Sequence, residues 1–223
     1  MPRQARTISA TNVYHAILRG VNKQQVFEDD EDYIRFLNVL RRQTQPDVDA
    51  QGQTFQPRCH VYAYCLMGNH VHLLLKEGFE TIGDIMKRIA SSYVYYYNHK
   101  YDRVGHLFQE RFKSQPVNDF SYFTTLLRYI HQNPLKAMLV DSMDEYEWSS
   151  WQEYNGTARQ GFCSTQVVLG RIPFADLKAL VETPLAEEDA NQFIDVDVRP
   201  TKSTYSDEEI WQLLSALSGA SNA

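Results

Sequence analysis

The chain has 223 residues, 43% of them hydrophobic and 13% aromatic, and a formal net charge of −6. That is enough apolar mass for a core in one domain with appendages, and it excludes an intrinsically disordered chain. There is no unbroken apolar run long enough to span a bilayer.

Cys59, Cys65 and Cys163 are the only cysteines, and an odd count gives no disulfide framework. The start, MPRQARTISATNVYHAIL, has arginines but no apolar core of a signal peptide, so a cytoplasmic protein is expected. The charge is uneven. Residues 1–140 carry 17 basic and 13 acidic side chains, whereas residues 141–223 carry 5 and 15. A solvated acidic face accounts for this, and so does a polyanion-binding front half with a separate acidic tail.

In chain order, NVYHAILRGV (12–21) reads as a strand that leaves through Gly20. DDEDYIRFLNVLRRQTQ (29–45) places Tyr33, Phe36, Leu37 and Leu40 at helical spacing behind an acidic start. Residues 46–57 read as a loop. RCHVYAYCLM (58–67) and HVHLLLK (70–76) are strands, and only Gly68-Asn69 separates them, which predicts a tight hairpin.

TIGDIMKRIASSYVYYYNHKY (81–101) is a helix, and 102–117 is a loop ending in a strand. DFSYFTTLLRYIHQN (119–133) is a helix capped by Asp119 and expected to give way at Pro134. The order β-α-β-β-α-β-α predicts an α+β fold, a ferredoxin-like antiparallel sheet with helices on one face.

Further on, EYEWSSWQEYNG (145–156) is expected to pack back on the core. STQVVLG and PFADLKALVE read as short helices, 183–204 as a linker, and YSDEEIWQLLSAL (205–217) as a last helix with a Ser206–Glu209 capping box. The expected organisation is a domain over 1–156 and an acidic, mainly helical C-terminal extension over 157–223.

His70 and His72 carry the chemistry. Strand alternation puts both on one face, with Cα atoms about 7 Å apart, close enough for one metal ion. As exposed ligands they should be removable without loss of the fold. An H-x-H pair alone also fits a structural or surface role, and it fills only part of a coordination shell. Position 74 is Leu, so a histidine-triad hydrolase does not fit, and Cys59 and Cys65 lack the spacing of a zinc pair. The helix at 119–133 offers more. Tyr129 and Asn133 are four apart and share a face. An amide oxygen is a hard ligand suited to Mg2+ or Mn2+, and a phenol one turn away can attack a metal-polarised phosphorus. The same position also suits a core tyrosine with a satisfied hydroxyl.

GNHVHLLL, with RYIHQNP downstream, resembles the HUH single-tyrosine transposases, specifically their REP-associated branch. YHAILRGVNKQQVFEDDEDYIRFL, VYAYCLM, YYNHKYDRVGHLFQERFKS and YEWSSWQEY follow the same pattern in order over about residues 12–155. Members commonly have Pro where this chain has Gly68.

The resemblance implies a ferredoxin-like domain that cleaves and rejoins single-stranded DNA. In it His70, His72 and Asn133 would hold a divalent cation, Mg2+ or Mn2+. Tyr129 would take the 5′-phosphate and release a 3′-OH. The implied partner is single-stranded or hairpin DNA of REP type, bound by a monomer or homodimer with no membrane. Arg19, Lys23, Arg111, Lys113 and Arg128 are the candidate DNA-binding residues, with Arg103 and Lys136 nearby and Tyr95, Tyr96 and Tyr97 available for stacking on bases. Two other readings stay open: a DNA-hairpin-binding protein that keeps the fold without cutting, and a small metal-dependent phosphodiesterase.

Overall fold

The chain's first strand, β1 (Val13–Arg19), is buried at every position. A strand with both faces covered belongs in the middle of a sheet. The computed structural model describes residues 7–48 and 51–193, and in it β1 lies between β5 (His70–Glu77) and β6 (Lys113–Pro116). β4 (Cys59–Met67) completes the order β4-β5-β1-β6, with every neighbour antiparallel.

Helix α1 (Asp30–Gln43) crosses from β1 to β4, and α2 (Ile82–Lys100) crosses from β5 to β6, each passing over the strand between. This is the split β-α-β arrangement of a ferredoxin-like sheet. The hairpin turn at Gly68-Asn69 pairs Met67 with His70. The region read as a loop before β4 contains a small ladder, β2 (Asp47–Val48) against β3 (Thr54–Phe55).

Period-two alternation divides the core. Tyr14, Ala16 and Leu18 of β1 join Val71, Leu73 and Leu75 of β5 beneath Phe36 and Leu40 of α1 and Ile85, Met86 and Ile89 of α2. The opposite face carries Val13, Ala63, Cys65 and Leu74, and α3 (Phe120–Lys136) packs there through Leu126, Leu127 and Ile130. The expectation of helices on one face therefore holds for the crossover helices α1 and α2. α3 covers the other face because the alternating positions there are apolar too, and an uncovered face would leave them in water.

Asp29, Thr81 and Asp119 cap α1, α2 and α3 by accepting bonds from Asp32, Asp84 and Tyr122 backbone N–H groups. Asp32, fully buried, ties α1 to α2. It accepts from the Tyr96 and Tyr101 hydroxyls at 3.0 and 2.8 Å and pairs with Lys100 at 2.9 Å.

α3 runs past Pro134 to Lys136 instead of ending at residue 133. Pro134 is buried in the last turn, and because it has no N–H the helix gives up the one bond that residue 134 would donate to the Ile130 carbonyl. The outer edge of β4 is covered by the segment 148–150, in which Leu66 N–H donates to Trp148 O at 2.9 Å and Ser150 N–H to Tyr64 O at 3.0 Å. His131 of α3 reaches the same segment through Nε2, 2.8 Å from Ser150 Oγ.

Beyond a short helix α4 (Trp151–Tyr154), α5 (Thr165–Leu169) and α6 (Phe174–Glu182) place Val168, Leu177 and Val181 in the core beside α3. A further helix, α7 (Glu187–Asn191), lies in what the sequence suggests is a linker. The helix expected over 205–217 and its capping box lie outside the described residues. Among the described residues no helix is long and apolar enough to cross a membrane.

Candidate active site

Strand register sets the site. On the α3 face of the sheet, β1 presents Val13, His15, Ile17 and Arg19, and β5 presents His70, His72 and Leu74. Arg19 is paired directly with His70, and Ile17 with His72. Lys113 of β6 is also paired with Ile17, which puts it on the same face. The two histidine rings of β5 are perpendicular, with 4.9 Å between centroids.

Each ring has its Nδ1 engaged. His70 Nδ1 lies 2.6 Å from Asn69 Oδ1, an atom that can only accept, so His70 donates there, and in the neutral ring the lone pair is on Nε2. His72 Nδ1 lies 3.0 Å from Nε2 of His15. Nε2 of His72 is buried and has no hydrogen-bond partner among the described residues. Burial, followed by the neighbouring His70, His15 and Arg19, holds His72 well below the usual histidine range. It is a neutral imidazole, the form that ligates metals. His72 is fully buried, which corrects the expectation that it is an exposed ligand. It forms part of the seam between sheet and α3.

Tyr129 comes to the pair from α3. Its ring stands edge-on to His72, with 5.5 Å between centroids, and is only 1% exposed. The Lys136 ammonium sits 5.0 Å from the Tyr129 ring centre. Phe193, just after α7, packs on the same ring at 4.8 Å. Asn133, one turn on, donates from Nδ2 to the Tyr129 carbonyl at 2.8 Å. Oδ1, the end that can ligate, is not used in that bond. Among the described residues no three His, Cys, Asp or Glu side chains converge as a metal cluster. Any cation here would rely on two imidazoles and a donor of another type, and the orphaned Nε2 of His72 fits such a role.

The candidate DNA-binding residues fall into four places. Arg19, 6% exposed, and Lys113 share the histidine face and line one small hollow with Ile17 and Phe112. Lys23 is exposed, and its carbonyl accepts from the Asn69 side chain at 3.3 Å, next to the hairpin turn. Arg111 is exposed but lines a groove against α2 with Lys87 and Ser91. Arg128 is half-buried, and its guanidinium donates to the Thr183 carbonyl at 2.9 Å. Of the tyrosine run, only Tyr95 is open, at 77% exposure. The Tyr96 and Tyr97 hydroxyls bond to Asp32 and Glu28.

His15 is absent from the residues that sequence spacing picks out. Its only signal is a polar residue at an otherwise apolar strand position on the same face as Ile17 and Arg19.

A histidine pair on the third long strand of a ferredoxin-like sheet, with a tyrosine beside it on α3, the helix after the fourth, is the arrangement of an HUH transposase. Residues 9–133 match the family model described as Transposase IS200 like, and the chain belongs to that family of enzymes acting on DNA. The solved structure of a REP-associated tyrosine transposase bound to a REP hairpin superposes with a TM-score of 0.53 at 13% identity, over 73% of this chain and 90% of that one. That is a likeness of fold. A candidate transposase from Deinococcus radiodurans R1 gives a TM-score of 0.36 at 16% identity over 71% of this chain and 100% of that one, too low to carry an argument. No curated protein matches the sequence.

Proposed function

We propose that this transposase is a metal-dependent single-stranded DNA endonuclease and strand transferase that acts on hairpin DNA of REP type through a 5′-phosphotyrosine. The observation that carries the reading is the position of Tyr129, edge-on to His72 at 5.5 Å and one turn before Asn133. Mg2+ or Mn2+, bound by His70, His72 and Asn133, would polarise the scissile phosphate and lower the barrier to attack by a phenol.

The chain's own residues do the rest. Tyr129 Oη forms a bond to phosphorus and loses its proton, the P–O3′ bond breaks, and the departing oxygen takes a proton to become a 3′-OH. Attack by another 3′-OH reverses these bond changes and joins the strands. The phosphodiester's energy is kept in the tyrosyl ester, so rejoining needs no nucleotide cofactor. Arg19 and Lys113, on the histidine face, are suited to the phosphates flanking the cut. Lys23 and Arg111 extend the basic contacts outward. Arg128 is the weakest of this set, since Thr183 already holds it.

Residues 1–156 form the catalytic unit in this reading and 157–223 an acidic, mainly helical extension. The protein acts in the cytoplasm as a monomer or homodimer.

One observation favours a second reading, a hairpin-binding protein that does not cut. Tyr129 is buried, with Phe193 packed on its ring, so DNA reaches the hydroxyl only once the packing around it opens. Incubation with single-stranded REP-like hairpin DNA and Mn2+, run on a denaturing gel, separates the two. A protein–DNA adduct that survives denaturation supports the transferase. Binding without any adduct supports the second reading.

A further inference from the structure

We infer that His15 is a positioning residue for His72: it accepts the proton on His72 Nδ1 and so keeps the Nε2 lone pair of His72 available to a divalent cation. The inference rests on the reading of His70 and His72 as ligands.

The contact begins in strand register. His72 is paired with Ile17 and Leu74 with His15, so residues 15 and 72 are diagonal neighbours on one face. Long or aromatic side chains at such positions touch. The two rings are within 20° of coplanar, with 5.3 Å between centroids. At that separation, with Nε2 and Nδ1 only 3.0 Å apart, they meet end to end in their common plane, the geometry of a ring-to-ring hydrogen bond. Both side chains are fully buried.

Two neutral imidazoles can share one proton in two ways. If His15 donates, the proton of His72 is on Nε2. Nε2 of His72 then carries an N–H and cannot ligate a cation, whereas in the opposite arrangement that second proton sits on Nδ1 of His15, so the choice rests on the ligand role and on the match to His70. If His72 donates, Nε2 carries a lone pair that points at whatever occupies the site. The second arrangement matches His70, whose Nδ1 proton goes to Asn69. Both β5 histidines then present Nε2.

The usual partner behind a metal-binding histidine is a carboxylate, a carbonyl or water. A carboxylate at position 15 would bring negative charge toward a site that must take a phosphodiester. A neutral imidazole orients His72 without that repulsion. An aliphatic residue would fill the space as its neighbours Val13 and Ile17 do, but it could not accept the proton.

The test combines 15N NMR of the metal-free protein with Mn2+ titration followed by EPR. In the wild type the ring-nitrogen spectrum of His72 should show the Nδ1–H tautomer. His15→Phe keeps a ring of similar size but offers no acceptor, and should weaken Mn2+ binding about 10- to 100-fold. His15→Gln puts an amide oxygen near the place of Nε2, and should bind Mn2+ within a few-fold of wild type. If His15→Phe does not fold, the wild-type tautomer and the Gln variant decide. An Nε2–H tautomer in the wild type, or wild-type Mn2+ affinity in His15→Phe, overturns the inference. Absence of Mn2+ binding by the wild type overturns the reading of His70 and His72 as ligands, a result distinct from either of those.

Discussion

The Tyr129 ring meets His72 edge-on, with 86° between the ring planes. No other tyrosine of α3 has this relation. Tyr122 lies two turns earlier, and burial, followed by the Asp119 charge, pushes its phenol up to about 12, making it harder to ionise. Tyr129→Phe is therefore expected to abolish the covalent protein–DNA adduct while hairpin binding persists. Tyr122→Phe and Tyr95→Phe should keep the adduct. Peptide mapping that places DNA on Tyr95 or Tyr122 would refute the assignment.

The two histidines should respond differently to removal. His70 is half-buried and bonds to its sequence neighbour Asn69, whereas His72 is sealed between the sheet and α3 and bonds to His15. Both Ala variants should lose Mn2+-dependent cleavage. His72→Ala should also lose stability, by about 2–3 kcal/mol from the cavity and the unpaired His15 nitrogen. His70→Ala should lose less than half as much. Urea denaturation measures this, and equal losses would count against the distinction.

The contrast shows what was legible in the sequence. The H-x-H pair and the Tyr129–Asn133 pair are local. Their shared faces follow from periods of 2 and 3.6 residues, and both could be seen in a string of letters. The fold class also followed from the alternation of strand and helix signals, whereas the order β4-β5-β1-β6 did not, because it depends on which strands pair. The bond between His15 and His72, the alignment of Arg19 with His70, and the ring of Phe193 on Tyr129 depend on how distant segments are registered, and no local period encodes that. His72 looked like an exposed ligand because strand alternation gives a face but not what covers it. The bond from Arg128 to the Thr183 carbonyl was not legible either, because its partner is a backbone atom with no sequence signature.

That contrast extends to DNA binding. For single strands, log K falls with log salt by about 0.7 per phosphate neutralised. Lys113→Ala removes an exposed cation on the histidine face and should lower the slope by about that amount. Arg128→Ala should leave the slope unchanged and lower the melting temperature, because it loses a bond between α3 and the end of α6. Filter binding across a salt series distinguishes them. A slope lowered by Arg128→Ala would mean that its guanidinium leaves Thr183 for the DNA.

Asp32 offers a test of the scaffold far from the chemistry. It is fully buried, it pairs with Lys100, and it accepts bonds from two tyrosines of α2 and its C-cap. Asp32→Ala would leave Lys100 and both hydroxyls without that acceptor. A loss of about 2–3 kcal/mol is expected by chemical denaturation, since breaking a buried pair from one side is costly even where Lys100 retains Asp29 and Glu31. A change below 1 kcal/mol, roughly the worth of a surface pair, would show that the network does not clamp α1 to α2.

The last prediction concerns access to the nucleophile. Tyr129 is 1% exposed, and Phe193 lies across its ring at a tilt of 39°. The segment that brings Phe193 there is held by polar bonds: Gln132 Nε2 donates to the Val181 and Thr183 carbonyls, Leu185 N–H donates to Gln132 Oε1, and Gln115 donates to the Gln192 carbonyl at 3.1 Å. DNA cannot approach Tyr129 Oη from the Phe193 side without displacing that ring. An aromatic pair contributes about 0.5–1.5 kcal/mol beyond simple burial, and 1.4 kcal/mol is about a factor of ten in population. Phe193→Ala should therefore make the open state about two- to tenfold more frequent. The variant should show faster nitration of Tyr129 by tetranitromethane in the free protein, and faster adduct formation with hairpin DNA by a similar factor. Phe193→Leu, which keeps an apolar cover without the ring contact, should fall between the two. Nitration of Tyr129 at the wild-type rate in Phe193→Ala would mean that the ring contact does not limit access, and that the path to the hydroxyl opens elsewhere along α3.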